Sequence, residues 1–212
     1  VPFGETRLER ACPKNDLMEI ICNDEQLILS PYRAVYWPRE KALLLADLHL
    51  GKTGYFRSKG IAIPSSVMEG DLARLDYLID LYQPEKIIIA GDMFHHNYNA
   101  DIDLFKEWRA KKSGIDFILV PGNHDKLLNI DYGNLNIRLT EPEHILEPFT
   151  IIHKPAHKQD CFSISGHIHP GYVMEGRARQ YLRLPCFIIS DCQLILPAFS
   201  LFTGLYTGYE TS

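Results

Sequence analysis

Residues 87–95 read Ile87-Ile88-Ile89-Ala90-Gly91-Asp92-Met93-Phe94-His95, an apolar run followed without a break by glycine, a carboxylate and, soon after, an imidazole. An apolar run this short, closed by a turn residue, predicts a strand buried on both faces. The same pattern recurs along the chain. Ala42–Ala46 leads into Asp47 and His49, Phe117–Val120 into Asn123 and His124, Thr150–Ile152 into His153, and Phe162–Ile164 into His167 and His169. Such strands mark a central sheet covered by other layers, the α/β class, in which ligands bind beyond the carboxyl ends of the strands. If these strands share one sheet, their tips meet in one site.

The flanking sequence supplies the other layers. From about Asp16 to Ala46, the runs Met18–Cys22, Gln26–Leu29, Ala34–Trp37 and Ala42–Ala46 are separated by Asn23-Asp24, Ser30-Pro31 and Pro38, which predicts an antiparallel meander. Ser66 with Glu69 reads as a capping box ahead of Met68, Leu72, Leu75, Ile79 and Tyr82, apolar at helical spacing until Gln83-Pro84. Asp101 is placed to cap a second helix with the stripe Leu104, Phe105 and Trp108, its far side carrying Lys106, Arg109, Lys111 and Lys112. The tail from Leu182 to Tyr206 predicts a closing set of strands. Neither a repeat nor a linker interrupts the chain, so a single domain over 1–212 is expected.

Apolar residues at 46% and charged residues at 23% exclude a disordered, collagen-like or coiled-coil chain. No apolar run approaches the about 18 residues of a membrane span, and Val1 to Lys14 lacks a signal-peptide core, so a cytoplasmic location is expected. The cysteines Cys12, Cys22, Cys161, Cys186 and Cys192 are odd in number and form no CxxC pair, which predicts reduced, packed thiols. A net charge of -5 excludes the global basic field of a nucleic-acid coat protein while leaving room for a local one.

The converging tips would bring together Asp47, Asp92, Asn123 and four or five imidazoles. Unpaired buried carboxylates repel and are costly to desolvate, so this cluster calls for cations. Oxygen and nitrogen donors without thiolates suit manganese, iron or zinc, and the donors are too many for one tetrahedral site. Two ions are expected.

At these residues the chain resembles the calcineurin-like metallophosphoesterases, whose successive blocks stand here, in the family's order, as Asp47-Leu48-His49, Gly91-Asp92, Gly122-Asn123-His124-Asp125, His153 and Gly166-His167-Ile168-His169. The tetrad at Gly122 alone would arise by chance in roughly one chain in a thousand at ordinary residue frequencies. The resemblance, from about Leu44 to His169, implies a four-layer α/β/β/α sandwich and a phosphoester hydrolase with two divalent ions, manganese expected and iron or zinc the alternatives. It assigns Asp47, His49, Asp92 and His169 to one ion and Asp92, Asn123, His153 and His167 to the other, with Asp92 and a hydroxide bridging. His124 is left as the proton donor, with Asp125 holding its ring. His157 is expected to be a solvated loop residue.

Two longer matches narrow the substrate class. Gly91-Asp92-Met93-Phe94-His95 is similar to the second block of SbcD-type repair nucleases, which makes His95 a candidate for positioning a DNA strand. Ala46 to Lys52, Phe56-Arg57, Gly60 to Pro64, Gly166 to Pro170, and the tail from Leu182–Cys186 to Pro197–Phe199 resemble the bacterial ligase-associated DNA damage response endonucleases of the PdeM group. This implies DNA as substrate, a role in repair and a functional link to a DNA ligase and a helicase. Lys52, Arg57, Lys59, Lys154, Lys158, Arg177, Arg179 and Arg183 are candidates for the phosphate backbone, and Tyr55, Phe56 and Tyr98 for base stacking. The alternatives are a small-molecule phosphodiesterase or phosphatase, and a non-enzymatic scaffold of the same fold.

Overall fold

A computed structural model of the chain describes residues 17–64, 66–96, 99–125, 130–156, 161–176 and 180–208. Cys12, Tyr98, His157, Lys158, Arg177 and Arg179 lie outside them. The predicted meander is β1 (Met18–Cys22), β2 (Glu25–Ser30), β3 (Ala34–Trp37) and β4 (Ala42–Leu45), each antiparallel to the next. β5 (Lys86–Ala90), β6 (Asp116–Val120) and β7 (Ile137–Leu139) then add in parallel, giving a seven-stranded sheet in sequence order. A second sheet holds β8 (Glu143–Leu146), β9 (Phe149–Ile152), β10 (Phe162–Ser165), β13 (Ile188–Ile189) and β14 (Gln193–Ile195), ordered β13-β14-β10-β9-β8. Between them in sequence, β11 (Gly171–Glu175) and β12 (Tyr181–Pro185) form a separate hairpin.

The uniformly apolar strands are explained by two cores. On one face of the larger sheet, Leu43, Leu45, Ile87, Ile89, Phe117 and Leu119 pack with α2 (Ser66–Tyr82) and α3 (Ala100–Ala110). On the other, Leu44, Ile88, Ile118 and Val120 meet Phe149, Ile151, Phe162 and Ile164 of the second sheet. Alternate residues therefore serve opposite cores, so no polar position is left along the strand. The fold is the expected mixed α/β type with two stacked sheets. Its described helices all precede β7 in the chain.

Four expectations change. The five strand ends do not share one sheet: β4, β5 and β6 belong to the first, β9 and β10 to the second. Ser66 is the first residue of α2 rather than its cap. Asn99, not Asp101, caps α3, its side chain accepting from the Asp101 amide at 3.0 Å. Arg109, expected on the solvated side of α3, is buried because its guanidinium donates to the carbonyls of Lys112, Ile115 and Asn136. A short helix that sequence periodicity missed, α1 (Lys52–Ser58), follows the first block directly.

Candidate metal centre

The loops leaving β4 and β5 stay zipped after the strands end. The amides of Asp47, His49 and Leu50 donate to the carbonyls of Gly91, Asp92 and Met93 at 3.1, 3.0 and 2.8 Å. Regular extended backbone would send alternate side chains to opposite faces, but Asp47, His49, Asp92, His167 and His169 all have left-handed φ, between 47° and 73°. Asp and His tolerate that region better than branched residues, and each such residue still costs on the order of 1 kcal/mol. The effect is to turn successive ligand-type side chains toward one space. The glycines preceding them clear it: a Cβ at Gly91 would stand 2.1 Å from the His153 ring, at Gly122 2.2 Å from Asp92 Oδ1, and at Gly166 2.5 Å from Asp47 Oδ2.

Among the described residues three groups of donor atoms result, each with its atoms within 4.8 Å of one another: Asp47, His49 and His169; Asp92, His153 and His167; and His49, His95 and His124. In the first, His49 Nε2 is 3.2 Å from His169 Nε2, which is 3.6 Å from Asp47 Oδ1. In the second, His153 Nε2 is 3.0 Å from His167 Nδ1 and 3.4 Å from Asp92 Oδ2, and Asn123 Nδ2 is 3.3 Å from His167 Nδ1. These two groups adjoin where His153 Nδ1 comes within 4.0 Å of Asp47 Oδ1. Asp92 falls in the second group and not in the first. All seven residues expected as ligands are thus gathered in this region.

The donor chemistry suits divalent cations. Asp47 is fully buried; its Oδ2 accepts from the His167 amide, while Oδ1 has no hydrogen-bond partner. His153 Nδ1 lies 3.1 Å from the Ala90 carbonyl, so the neutral tautomer that donates there turns the Nε2 lone pair toward Asp92 Oδ2. A divalent cation between that lone pair and the carboxylate would satisfy both. Ligands about 2.1 Å from a common metal at tetrahedral angles stand roughly 3.4 Å apart, close to the spacings here. Burial first, then the charges of His169, Lys52, His95 and His124, pushes the His49 imidazole down to about 2. Burial likewise lowers His167. Neutral rings with free lone pairs are what a metal requires.

His95 and His124 stand beside the first group. His95 Nδ1 is 3.4 Å from His49 Nδ1, the rings of His95 and His124 are 4.6 Å apart, and the half-exposed His124 places Nε2 3.9 Å from Asp92 Oδ2. Burial, then His124 and Lys52, pulls His95 down to about 4. Asp125 corrects an expectation: its buried carboxylate does not hold the His124 ring but accepts from the amides of Gly122, Phe94 and Met93 at 2.9, 3.1 and 3.4 Å, tying the loops of the second and third blocks together. Its place in the tetrad shared with His124 concealed this backbone role. Among the charged candidates, Arg57 is paired with Asp101, and Lys59 lies over the Tyr55 ring, which itself stacks on His96. Lys154 lines a cavity of 220 Å³ with Asn123 and His153. Phe202, beside His49 and Lys52 in space, was missed because no local pattern links residues so distant in sequence.

Comparison with known proteins places this arrangement. The calcineurin-like phosphoesterase family model matches residues 41–181. No curated protein matches the sequence. A solved structure of the Pseudomonas putida nuclease MPE is 34% identical, with a TM-score of 0.80 over 92% of this chain and 93% of that one. Another, of the E. coli phosphoesterase Yfce, is 17% identical, with a TM-score of 0.41 over 76% of this chain and 80% of the other. Among the described residues no helix is long and apolar enough to cross a membrane. The chain belongs to the calcineurin-like phosphoesterases and is a metal-dependent hydrolase of phosphoester bonds.

Proposed function

We propose that the chain is a DNA endonuclease of DNA repair, working through a dinuclear metal centre in a single metallophosphoesterase domain. The observation that carries this reading is the pair of adjoining donor groups built on Asp47 and Asp92, with an imidazole nitrogen facing a carboxylate oxygen and a buried carboxylate oxygen left over. The extended likeness to a nuclease supports a nucleic-acid substrate, the Gly91 to His95 resemblance supports DNA, and the resemblance to the ligase-associated endonucleases supports a functional link to a ligase and a helicase. Asp47, His49, Asp92 and His169 hold one ion; Asp92, Asn123, His153 and His167 hold the other, with manganese expected and iron or zinc the alternatives. When bound, the ions supply Lewis acidity toward phosphoryl oxygens and bring the pKa of water toward neutrality.

The remaining work falls to the chain's own groups. His124 has an exposed edge beside Asp92 and gives its proton to the leaving oxygen. His95, wedged against His49 and His124, orients the strand. Asp125 keeps the two loops in register so that His124 stays in reach. The test is metal-free protein given Mn²⁺, Zn²⁺ or Mg²⁺ in turn and offered labelled single-stranded, duplex and nicked DNA beside a chromogenic diester. Cleavage of DNA with Mn²⁺ is expected. Hydrolysis of the small diester alone would favour a small-molecule esterase, and failure to bind metal or hydrolyse anything would favour a scaffold.

A further inference from the structure

Beside His49 lie two segments that the roles above leave out. One is the start of α1, where the Lys52 amide donates to the His49 carbonyl at 3.2 Å. The other is the stretch 199–206. Its backbone follows two candidate ligands: the amides of Phe199, Ser200 and Tyr206 donate to the carbonyls of Ala46, Asp47 and His169 at 2.8, 3.3 and 2.9 Å. Ser200 and Phe202 share a small cavity with His49 and Lys52, and outward from it Lys52, Phe56, Leu201, Phe202, Thr203 and Gly204 line a cleft of 350 Å³.

The cleft's chemistry differs from that of the core next to it. Phe199 is 1% exposed, whereas Phe202 is only partly covered and Leu201 is 53% exposed. Phe56 meets Phe202 edge to face, with centroids 5.7 Å apart, which leaves part of the Phe202 ring accessible. Lys52 Nζ stands 5.6 Å from the centroid of that ring, and no carboxylate pairs with it among the described residues. Arg57, on the same helix, is by contrast held by Asp101. An accessible aromatic ring, an apolar wall and an unneutralised ammonium beside a phosphoester site match the two parts of a nucleotide, a flat base and an anionic phosphate.

We infer that this cleft is a nucleotide subsite, in which a base next to the scissile phosphate stacks on Phe202 and Lys52 contacts the backbone phosphate. The inference rests on the nuclease reading and deepens it. The probe is a single-stranded oligonucleotide carrying 2-aminopurine, whose fluorescence is quenched by stacking, assayed in parallel with bis(p-nitrophenyl) phosphate on the manganese-loaded protein. Phe202→Ala is expected to lower oligonucleotide turnover by roughly tenfold to a hundredfold, the range of one lost base stack, and to abolish the quench. The ratio of oligonucleotide to chromogenic turnover falls by the same roughly tenfold to a hundredfold, and Phe202→Trp restores it. Lys52→Gln reduces the slope of log binding constant against log salt by about 0.7, one phosphate contact on a single strand. Equal losses on both substrates, loss of bound metal, or an unaffected quench in Phe202→Ala would overturn the subsite alone. A wild-type protein that hydrolyses the chromogenic diester but cuts no DNA would overturn the nuclease reading and the subsite with it.

Discussion

The imidazole of His153 is held by Ala90 on one nitrogen and faces Asp92 with the other, in space that Gly91 leaves open. Each candidate ligand is constrained in this way, by a backbone partner, a preceding glycine or a left-handed φ. Replacing Gly122 by alanine drives a methyl into Asp92, and a loss of about 1–3 kcal/mol, the cost of overpacking, is expected in urea unfolding together with weakened metal binding. His124→Ala should keep its bound ions and turn over roughly 10²–10⁴-fold more slowly on DNA, the range for a lost proton-transfer group; loss of the metals instead would make His124 a ligand. The ligand candidates were legible because each follows an apolar strand. Asp125 was not, since a carboxylate bonded to three amides leaves no periodic trace, and its sequence neighbour His124 suggested the wrong partner.

At the scale of elements, the strands that lead into the candidate ligands were readable nearly to the residue because burial on both faces leaves an unbroken apolar run, whereas β7, β8 and β11, short and largely exposed, left no such run and were missed. α1 was not, because its seven residues, Lys52–Ser58, are too few to show a stripe and include a glycine. It is fixed by a distant side chain. The buried Asp101 of α3 accepts from Thr53 Oγ1 at 2.5 Å and the Gly54 amide at 2.6 Å and pairs with Arg57. Asn99 adds a bond from Nδ2 to the Gly51 carbonyl while capping α3. Asp101→Ala strands Arg57, the buried Thr53 hydroxyl and the part-buried Gly54 amide, so a loss of about 3 kcal/mol is expected, visible as a lower Tm. Since α1 begins just past His49, reduced metal affinity should accompany it.

Across the whole molecule, the site exists because two sheets stack with the carboxyl ends of β4, β5, β6, β9 and β10 at a common edge. Sequence alone could show the strand ends but not their division between sheets, which depends on long-range pairings such as β10 with β14. The C-terminal segment closes that edge, fastened by Arg33 to the carbonyls of Ala198 and Ser200 at 3.2 and 2.7 Å and by the Leu201 amide to Asp71 at 3.1 Å. Cations bound where carboxylates and lone pairs converge should stabilise the fold. At a hundredfold excess over Kd each site contributes about 2.7 kcal/mol, so chelation of both ions is expected to lower Tm by roughly 10–20 °C. The most direct test is elemental analysis of manganese-reconstituted protein beside Asp92→Ala, with activity measured on the same samples. The account predicts a pair of ions in each wild-type chain, and weakened occupancy of both positions with no phosphodiesterase activity in Asp92→Ala; a variant that keeps the pair and near-normal turnover would contradict it.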